Sequence, residues 1–572
     1  MKWILNYLKP LWGRISVGVA VKIIGTLSEL LIPFLLTHIL ENVILRNHIP
    51  SILFYGALMA LCAAVACIGN IVANRMAAKT TMIFSARMRQ DLFLKTLQLS
   101  ARSTDRFTIP SLESRITSDT YNVQNFIGMM QRMGIRAPIL LLGGSLITLI
   151  MDSRLALVMI ATLPPIFFVV YGISRLGVPL YTNVQRSVDG MVRVVREDTQ
   201  GIRVIKALSK VDYENSRYDK ANAALQRNET KAGVIMGVVN PVMTLLMNLG
   251  IVAVIAVSAY FVDRELSSST TVIAFMQYFT LISMAMMSLS RMLVMYTKCA
   301  ASAQRISLVM QEENELTLIP DSEKSGSGAH ISFENVRFSY LGKKDNLRDI
   351  SFSLEKGETL GIIGATGSGK STVLRLLMRF YDTDGGTVRI HGRDVRSYTP
   401  SELSAMFGIV LQNDFLYADS IEENIRFERE ISHEEIVEAA KIAQAHDFIS
   451  SFPEGYARAV SAGGTNLSGG QRQRVLIARA IAGRPPILIL DDSSSALDYK
   501  TDANLRRALA EALPDSTVIT VAQRVSSVKN CDLILVIEEG EIIGYGKHEE
   551  LLLRCATYKE ISDSQMGGAF LD

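Results

Sequence analysis

The chain has 572 residues, 49% of them apolar, and a mean hydropathy of +0.24, high for a soluble protein. Its 59 Lys and Arg against 56 Asp and Glu leave a net charge of +3, which argues for neither nucleic acid nor a polyanionic partner. Five scattered cysteines with no Cys-x-x-Cys pair argue against a disulfide framework and a thiolate metal site.

Residues 1–13 read as a short helix at a membrane surface. Trp3, Tyr7 and Trp12 suit the interface, and Lys2, Lys9 and Arg14 suit anionic headgroups. No small-residue cleavage site precedes the first long apolar run, so an uncleaved membrane protein is expected. Six segments are long enough to span a bilayer: residues 15–40, 51–73, 136–151, 155–174, 232–262 and 266–290. The third is short and is expected to begin before Arg136. The first is the least apolar, carrying Lys22, Glu29 and His38. Lys22, Glu29 and Arg291 are charges in or near the membrane and so candidate pathway residues. Met276, Met284, Met286, Met287, Met292 and Met295 supply adaptable apolar surface or ordinary packing.

The links between spans two and three and between spans four and five are long and rich in Lys and Arg. Each short link has one basic residue (Arg46, Arg154, Arg264). The positive-inside rule then places both long links and both termini in the cytoplasm. Both long links are helical in pattern. Two helices of ~25 residues joined by a turn would extend ~37 Å from the bilayer. Short transverse helices are expected at the turns, near residues 100–107 and 210–217. Residues 1–310 form the membrane domain on this reading. Residues 311–329, with Ser325-Gly326-Ser327-Gly328, form a linker. From His330 the texture changes to strand alternation and then to α/β, so residues 330–572 read as one nucleotide-binding domain.

The chemistry concentrates in that domain. Gly364-Ala365-Thr366-Gly367-Ser368-Gly369-Lys370-Ser371 fits G-x-x-x-x-G-K-[ST], with an apolar strand before it and a helix after it, begun by Thr372. The glycines let backbone N–H groups converge on phosphate oxygens, Lys370 adds a point charge, and the Ser371 hydroxyl can hold Mg²⁺. Pro486-Ile487-Leu488-Ile489-Leu490-Asp491-Asp492 is a strand ending in carboxylates, and Asp491 fits the Mg²⁺-organising position. Leu467-Ser468-Gly469-Gly470-Gln471 opens a helix and makes a second anion site, which suggests composite sites between two chains.

The C-terminal half resembles an ATP-binding cassette, and the whole chain resembles an exporter-type half-transporter of the ABC family. The resemblance implies an α-helical membrane fold of six spans with long cytoplasmic extensions, fused to an α/β phosphate-loop ATPase. It implies ATP and Mg²⁺ as cofactors, a second half-transporter as partner, a plasma-membrane location, and ATP-driven export of a hydrophobic or amphipathic small molecule. Residue by residue, it makes Tyr340 the aromatic that stacks on adenine, Gln412 the glutamine that touches Mg²⁺, and Asp498 part of the loop that meets the partner. Gly201-Ile202-Arg203-Val204-Ile205-Lys206-Ala207 matches a stretch common in the second lever.

Three departures stand out. Asp492 occupies the place of the glutamate that polarises the attacking water, and its carboxylate falls ~1.5 Å short. Gln523 stands where the family has a switch histidine, and an amide cannot carry that proton. Ala462 stands where a glutamate usually contacts the levers. Since Leu467–Gln471 is intact, the expectation is a subunit that holds ATP at a slow site of its own and completes a competent site on a different partner. A slow homodimeric exporter or lipid flippase, an importer of exporter build and an ATP-gated channel or regulatory subunit stay open.

Overall fold

A computed structural model describes residues 2–44, 48–264, 269–313, 316–320, 329–340, 342 and 344–566. The Ser-Gly repeat expected as linker lies outside the described residues. The chain divides into two compact units, Met1–Leu97 with Thr108–Glu312, and Gln98–Phe107 with Glu313–Asp572.

The first unit is all helix. Lys2–Leu8 precedes a short turn and the helix Trp12–His38. Ile4 and Leu11 are buried, and the Tyr7 hydroxyl donates to Asp91 at 2.8 Å, so the N-terminal helix is seated by both packing and a charge-assisted bond. Long helices follow over Ile49–Leu97, Thr120–Met151, Ser153–Ala207, Val211–Gly237, Val239–Asp263 and Ser269–Met310. The 49 residues of Ile49–Leu97 extend ~74 Å, more than twice a hydrocarbon core, so the helix continues well past a membrane.

Among the described residues five helical stretches are long and apolar enough to cross a membrane, not the expected six: Trp3–Val43, Ile49–Leu97, Ile109–Met151, Thr244–Phe261 and Thr270–Leu289. The fourth expected span, residues 155–174, heads the helix Ser153–Ala207. Its described apolar part, Ser153–Thr162, is shorter than a bilayer requires, and several side chains beyond it lie outside the described residues. The third span does begin before Arg136, because its helix starts at Thr120.

The two turns differ. At the first, Ala101–Phe107 is a separate short helix, as expected, and Thr108 ends it with a left-handed backbone (φ 63°). At the second, Ser209 (φ 51°) breaks the chain, but Val211–Gly237 then runs on as one helix, and the short helix expected at 210–217 does not form. Residues 211–232 contain no Gly or Pro to interrupt it, and Asp212 and Glu214 suit its N-terminal dipole.

Close packing holds this unit together. A Cβ on Gly69 would come within 3.2 Å of Gly25 Cα, so the first two long helices cross at glycine contact. The buried Tyr278 hydroxyl donates to Leu30 O at 2.6 Å. Asp119, 2% exposed, accepts from Ser302 (2.8 Å) and from Arg305 (2.7 Å), which satisfies a buried carboxylate.

The second unit carries two sheets. One is antiparallel, ordered Leu347–Leu354, Ile331–Phe338, Gly385–Ile390, Arg393–Asp394. The other is six-stranded, with Thr359–Ile363, Thr517–Val521, Ile487–Asp491 and Phe407–Val410 adjacent and parallel, and Leu533–Glu538 and Glu541–Gly546 continuing it to one edge. Ile487–Asp491 is buried at every position, which explains its unbroken apolar run: helices cover both faces of a parallel sheet. The short helix Ala101–Phe107 belongs to this unit. Ala101 packs against the core between the two sheets, and the buried Tyr381 hydroxyl donates to Asp105 at 2.5 Å. Burial, then Asp105, push the Tyr381 hydroxyl's pKa up. Asp105→Ala removes a charge-assisted bond worth about 1–2 kcal/mol. Hydrogen exchange of residues 101–107 should speed up by about tenfold, with the sheet amides unchanged. Unchanged exchange there would mean that Ala101 packing alone seats the helix.

Candidate nucleotide site

The parallel strands share one direction, so their carboxyl ends meet in one crevice, where such sheets place their ligands. Thr359–Ile363 ends at Gly364, Ile487–Asp491 ends at Asp491 and Asp492, Thr517–Val521 leads to Gln523, and Phe407–Val410 leads to Gln412. A cleft of about 280 Å³ forms there. Thr366, Gly367, Gly369, Lys370, Ser371 and Thr372 line it from the loop, and Tyr340, Gln412, Asp491, Asp492 and Gln523 from around it.

The loop's glycines are required by space. Gly364 and Gly369 have φ of 156° and 107°, and a Cβ would meet Ile537 O at 2.1 Å in the first and Leu347 Cδ2 at 2.7 Å in the second. Gly369 caps the helix Lys370–Leu377, whose first N–H groups face the cleft. Lys370 donates to Gly364 O (2.9 Å) and Ala365 O (2.7 Å), and burial pulls its pKa down. The Ser368 hydroxyl is buried and without a partner among the described residues. A buried orphan hydroxyl in a ring of backbone donors fits a phosphate that would complete it.

Asp491 and Ser371 fit a hard cation. Asp491 is 5% exposed; burial raises its pKa and a hydrogen bond with Ser371 lowers it. Two oxygen ligands on adjacent elements, one of them a desolvated carboxylate, match a divalent ion that keeps most of its own ligands.

Asp492 has a left-handed backbone (φ 52°), held by its N–H on Val521 O at 2.9 Å. Gln523 Nε2 lies 3.4 Å from Asp492 Oδ2, a long and weak bond. The two unusual residues therefore touch each other. Burial raises the Asp492 pKa, against the pull of Lys370 and Arg524.

Tyr340 lines the same cleft. Its ring packs edge-on to Phe338 (4.8 Å) and Tyr381 (5.1 Å), and its hydroxyl donates to Thr372 (3.2 Å) and accepts from Arg375 (3.0 Å). Three contributors escaped sequence reasoning. Arg375 and Asn346 line the cleft, and Asn346 Oδ1 accepts from Tyr340 N–H at 3.1 Å. Gln565, in the helix Ala556–Met566, accepts from Val525 N–H and donates to Gln523 O, both at 2.8 Å, and so clasps the loop that carries Gln523. No motif marks Gln565, because its partners are main-chain atoms 40 and 42 residues away.

Leu467–Gln471 and Asp498 do not line this cleft. Ser468 caps the helix Gly469–Ile481: its hydroxyl accepts from Gln471 N–H and its N–H donates to Gln471 Oε1. Asp498 caps Tyr499–Ala512 in the same way, accepting from Thr501 N–H at 2.9 Å. Ala462 lies in a short 3₁₀ turn, Ala462–Gly464, beside Ser461, which bonds Asn466.

Residues 15–286 match the family model described as "ABC transporter transmembrane region", and residues 347–495 match "ABC transporter". The chain is 32% identical to "Uncharacterized ABC transporter ATP-binding protein YfiB" of Bacillus subtilis, over 99% of both chains. It is 30% identical to "Putative ABC transporter ATP-binding protein exp8" of Streptococcus pneumoniae, over 99% of this chain and 97% of that one. A solved bacterial Atm1-family ABC exporter with ATP bound superposes with a TM-score of 0.81 at 24% identity, over 96% of this chain and 98% of that one.

Proposed function

Because the chain belongs to the ABC transporter family, as a half-transporter with its membrane region and ATP-binding cassette in one polypeptide, we propose that it exports hydrophobic or amphipathic molecules as the slow-site subunit of a heterodimer. The observation that carries this reading is the Asp492–Gln523 pair in a chain whose Ser468 helix cap is intact. Lys370, Ser368 and the glycine amides hold phosphate oxygens, and Ser371 and Asp491 hold the ion, with Gln412 beside them. Tyr340 stacks on the base. ATP with Mg²⁺, when bound, supplies the free energy that favours the closed pair of cassettes. Asp492 orients water poorly, because its carboxylate is one bond short and its backbone is fixed by Val521. Ser468 and the amides of Gly469 and Gly470 serve the partner's phosphate loop. Both termini and both long helical links face the cytoplasm, in line with their positive charge.

Purified alone, the chain should hydrolyse ATP at nearly the rate of its Lys370→Ala variant, and faster by a large factor with the cassette chain that copurifies from its host. Brisk turnover alone would overturn the slow-site reading. Tyr340→Ala should weaken binding of a fluorescent ATP analogue by about tenfold, since one base–aromatic stack is worth about 1–3 kcal/mol. Tyr340→Phe should keep most of the affinity. Equal loss in both variants would assign the effect to the hydroxyl and its bonds to Thr372 and Arg375.

A further inference from the structure

Three helices of the membrane unit each present a polar pair at helical spacing: Lys22 and Glu29 on Trp12–His38, Asn70 and Asn74 on Ile49–Leu97, and Arg132 and Arg136 on Thr120–Met151. These pairs converge. Lys22 Nζ donates to Asn70 Oδ1 (2.7 Å) and Asn74 Oδ1 (3.1 Å), and Arg136 makes a two-pronged bond to Glu29 (2.6 and 3.3 Å). Lys22 lies within electrostatic reach of Arg136, Glu29 and Arg132. The Arg132 guanidinium and the Thr81 hydroxyl both lie 3.5 Å from the place of a Cβ on Gly128, and that hydroxyl is buried with no partner among the described residues.

The charges do not balance. Three cations stand with one carboxylate, and Glu29 is committed to Arg136. Lys22 is 3% exposed, and among the described residues its Nζ hydrogen bonds go to two neutral amides. Lys22 is buried and Arg136 half-buried, while Arg132 is exposed, its Nε donating to Gly128 O at 3.1 Å. A buried cation with no carboxylate bonded to it is costly in an apolar helical unit unless an anion completes it, and the exposed Arg132 leaves that anion a way in. Beside this cluster, Glu29 also lines an apolar cleft of about 540 Å³, with Ile32, Pro33, Ile251, Met276 and Met284. The headgroup site and the apolar cleft therefore share one residue and adjoin along one helix.

We infer that Lys22, Arg132 and Arg136 with the Ile32–Met284 cleft form a binding site for a lipid-like amphiphile with an anionic headgroup and an apolar tail. This rests on the export reading and names its cargo class. Glu29 holds Arg136 in place and weakens the field, which keeps the site from trapping its ligand.

The test uses the full chain in phosphatidylcholine nanodiscs, without nucleotide, so its outcome does not depend on whether this chain turns over ATP. The probes are a lysophosphatidic acid with a fluorescent acyl chain, and the choline-headgroup and quaternary-ammonium amphiphiles bearing the same chain. The anionic probe should bind about tenfold tighter than either, and added salt should narrow the difference. Arg132→Gln should remove that preference by about tenfold, with Arg132→Lys keeping most of it. Glu29→Gln should tighten the anionic probe or leave it unchanged. Equal binding of all three probes, a preference for the cationic one, or an unaltered Arg132→Gln variant overturns the site. In the two-chain complex the anionic probe should also stimulate ATP hydrolysis, and not with Arg132→Gln. Binding without stimulation, in a complex whose basal hydrolysis is intact, would make the ligand a resident lipid and overturn the cargo claim alone.

Discussion

Asp492→Glu together with Gln523→His should raise ATP hydrolysis by the isolated chain by about 10²-fold, the low end of what a well-placed general base contributes. The longer side chain recovers the ~1.5 Å that Asp492 lacks. The imidazole replaces an amide that reaches Asp492 only over 3.4 Å. Against this stands the backbone, since Asp492 sits at φ 52°, where Asp and Asn are favoured and Glu is less at ease. That strain is about 1 kcal/mol, smaller than the ~2.7 kcal/mol in a hundredfold gain. The Asp492 N–H bond to Val521 O holds the turn for either residue. Asp492→Glu alone should give part of the gain and Gln523→His alone little, because the Asp492 carboxylate beside that histidine would still stop ~1.5 Å short of the attacking water. Steady-state hydrolysis with Lys370→Ala as the blank measures all three. If the double variant still binds nucleotide and turns over no faster, the slow step lies elsewhere and the Asp492–Gln523 pair does not set it.

The site was legible where chemistry needs consecutive residues. The phosphate loop, its leading strand and the carboxylates after Leu490 are local, and the fold brings them to one crevice because parallel strands end together. Tyr340, Gln412 and Gln523 came from likeness to a family, not from local pattern, and each lines the cleft. Arg375, Asn346 and Gln565 were not legible. Arg375 is one more polar residue on an amphipathic helix until the fold sets it against Tyr340, and Gln565 bonds main chain that any sequence would supply. In the membrane unit, hydropathy marks apolar length but not where a helix stops. Ile49–Leu97 runs on into its polar link because residues 74–97 contain no Gly or Pro to break it, and Thr120–Met151 begins inside the same link, past the break at Thr108. The break at Ser209 is made by a left-handed serine, which carries no Gly or Pro signal.

The largest loss is expected from Ser468→Ala in the two-chain complex. The Ser468 oxygen accepts from Gln471 N–H, which leaves its proton free to donate outward, beside the exposed amides that begin Gly469–Ile481. Ser468 does not line this chain's own cleft, and on the proposed reading it serves a phosphate held by another chain. Removing one preorganised donor to a developing oxyanion costs about 10²–10³ in rate. The same change removes a helix cap, worth about 1 kcal/mol, which lowers the melting temperature by a few degrees and cannot account for such a loss. Ser468→Thr keeps both the cap and the donor and should keep most of the turnover. Lys370→Ala makes the contrast decisive, because it empties this chain's own loop, the one the proposed reading makes slow. In a heterodimer with one competent site, Ser468→Ala abolishes hydrolysis while Lys370→Ala leaves most of it. Two equivalent sites would lose activity alike in both variants, and the contact between Gln523 and Asp492 would then be a tolerated variation of a working centre.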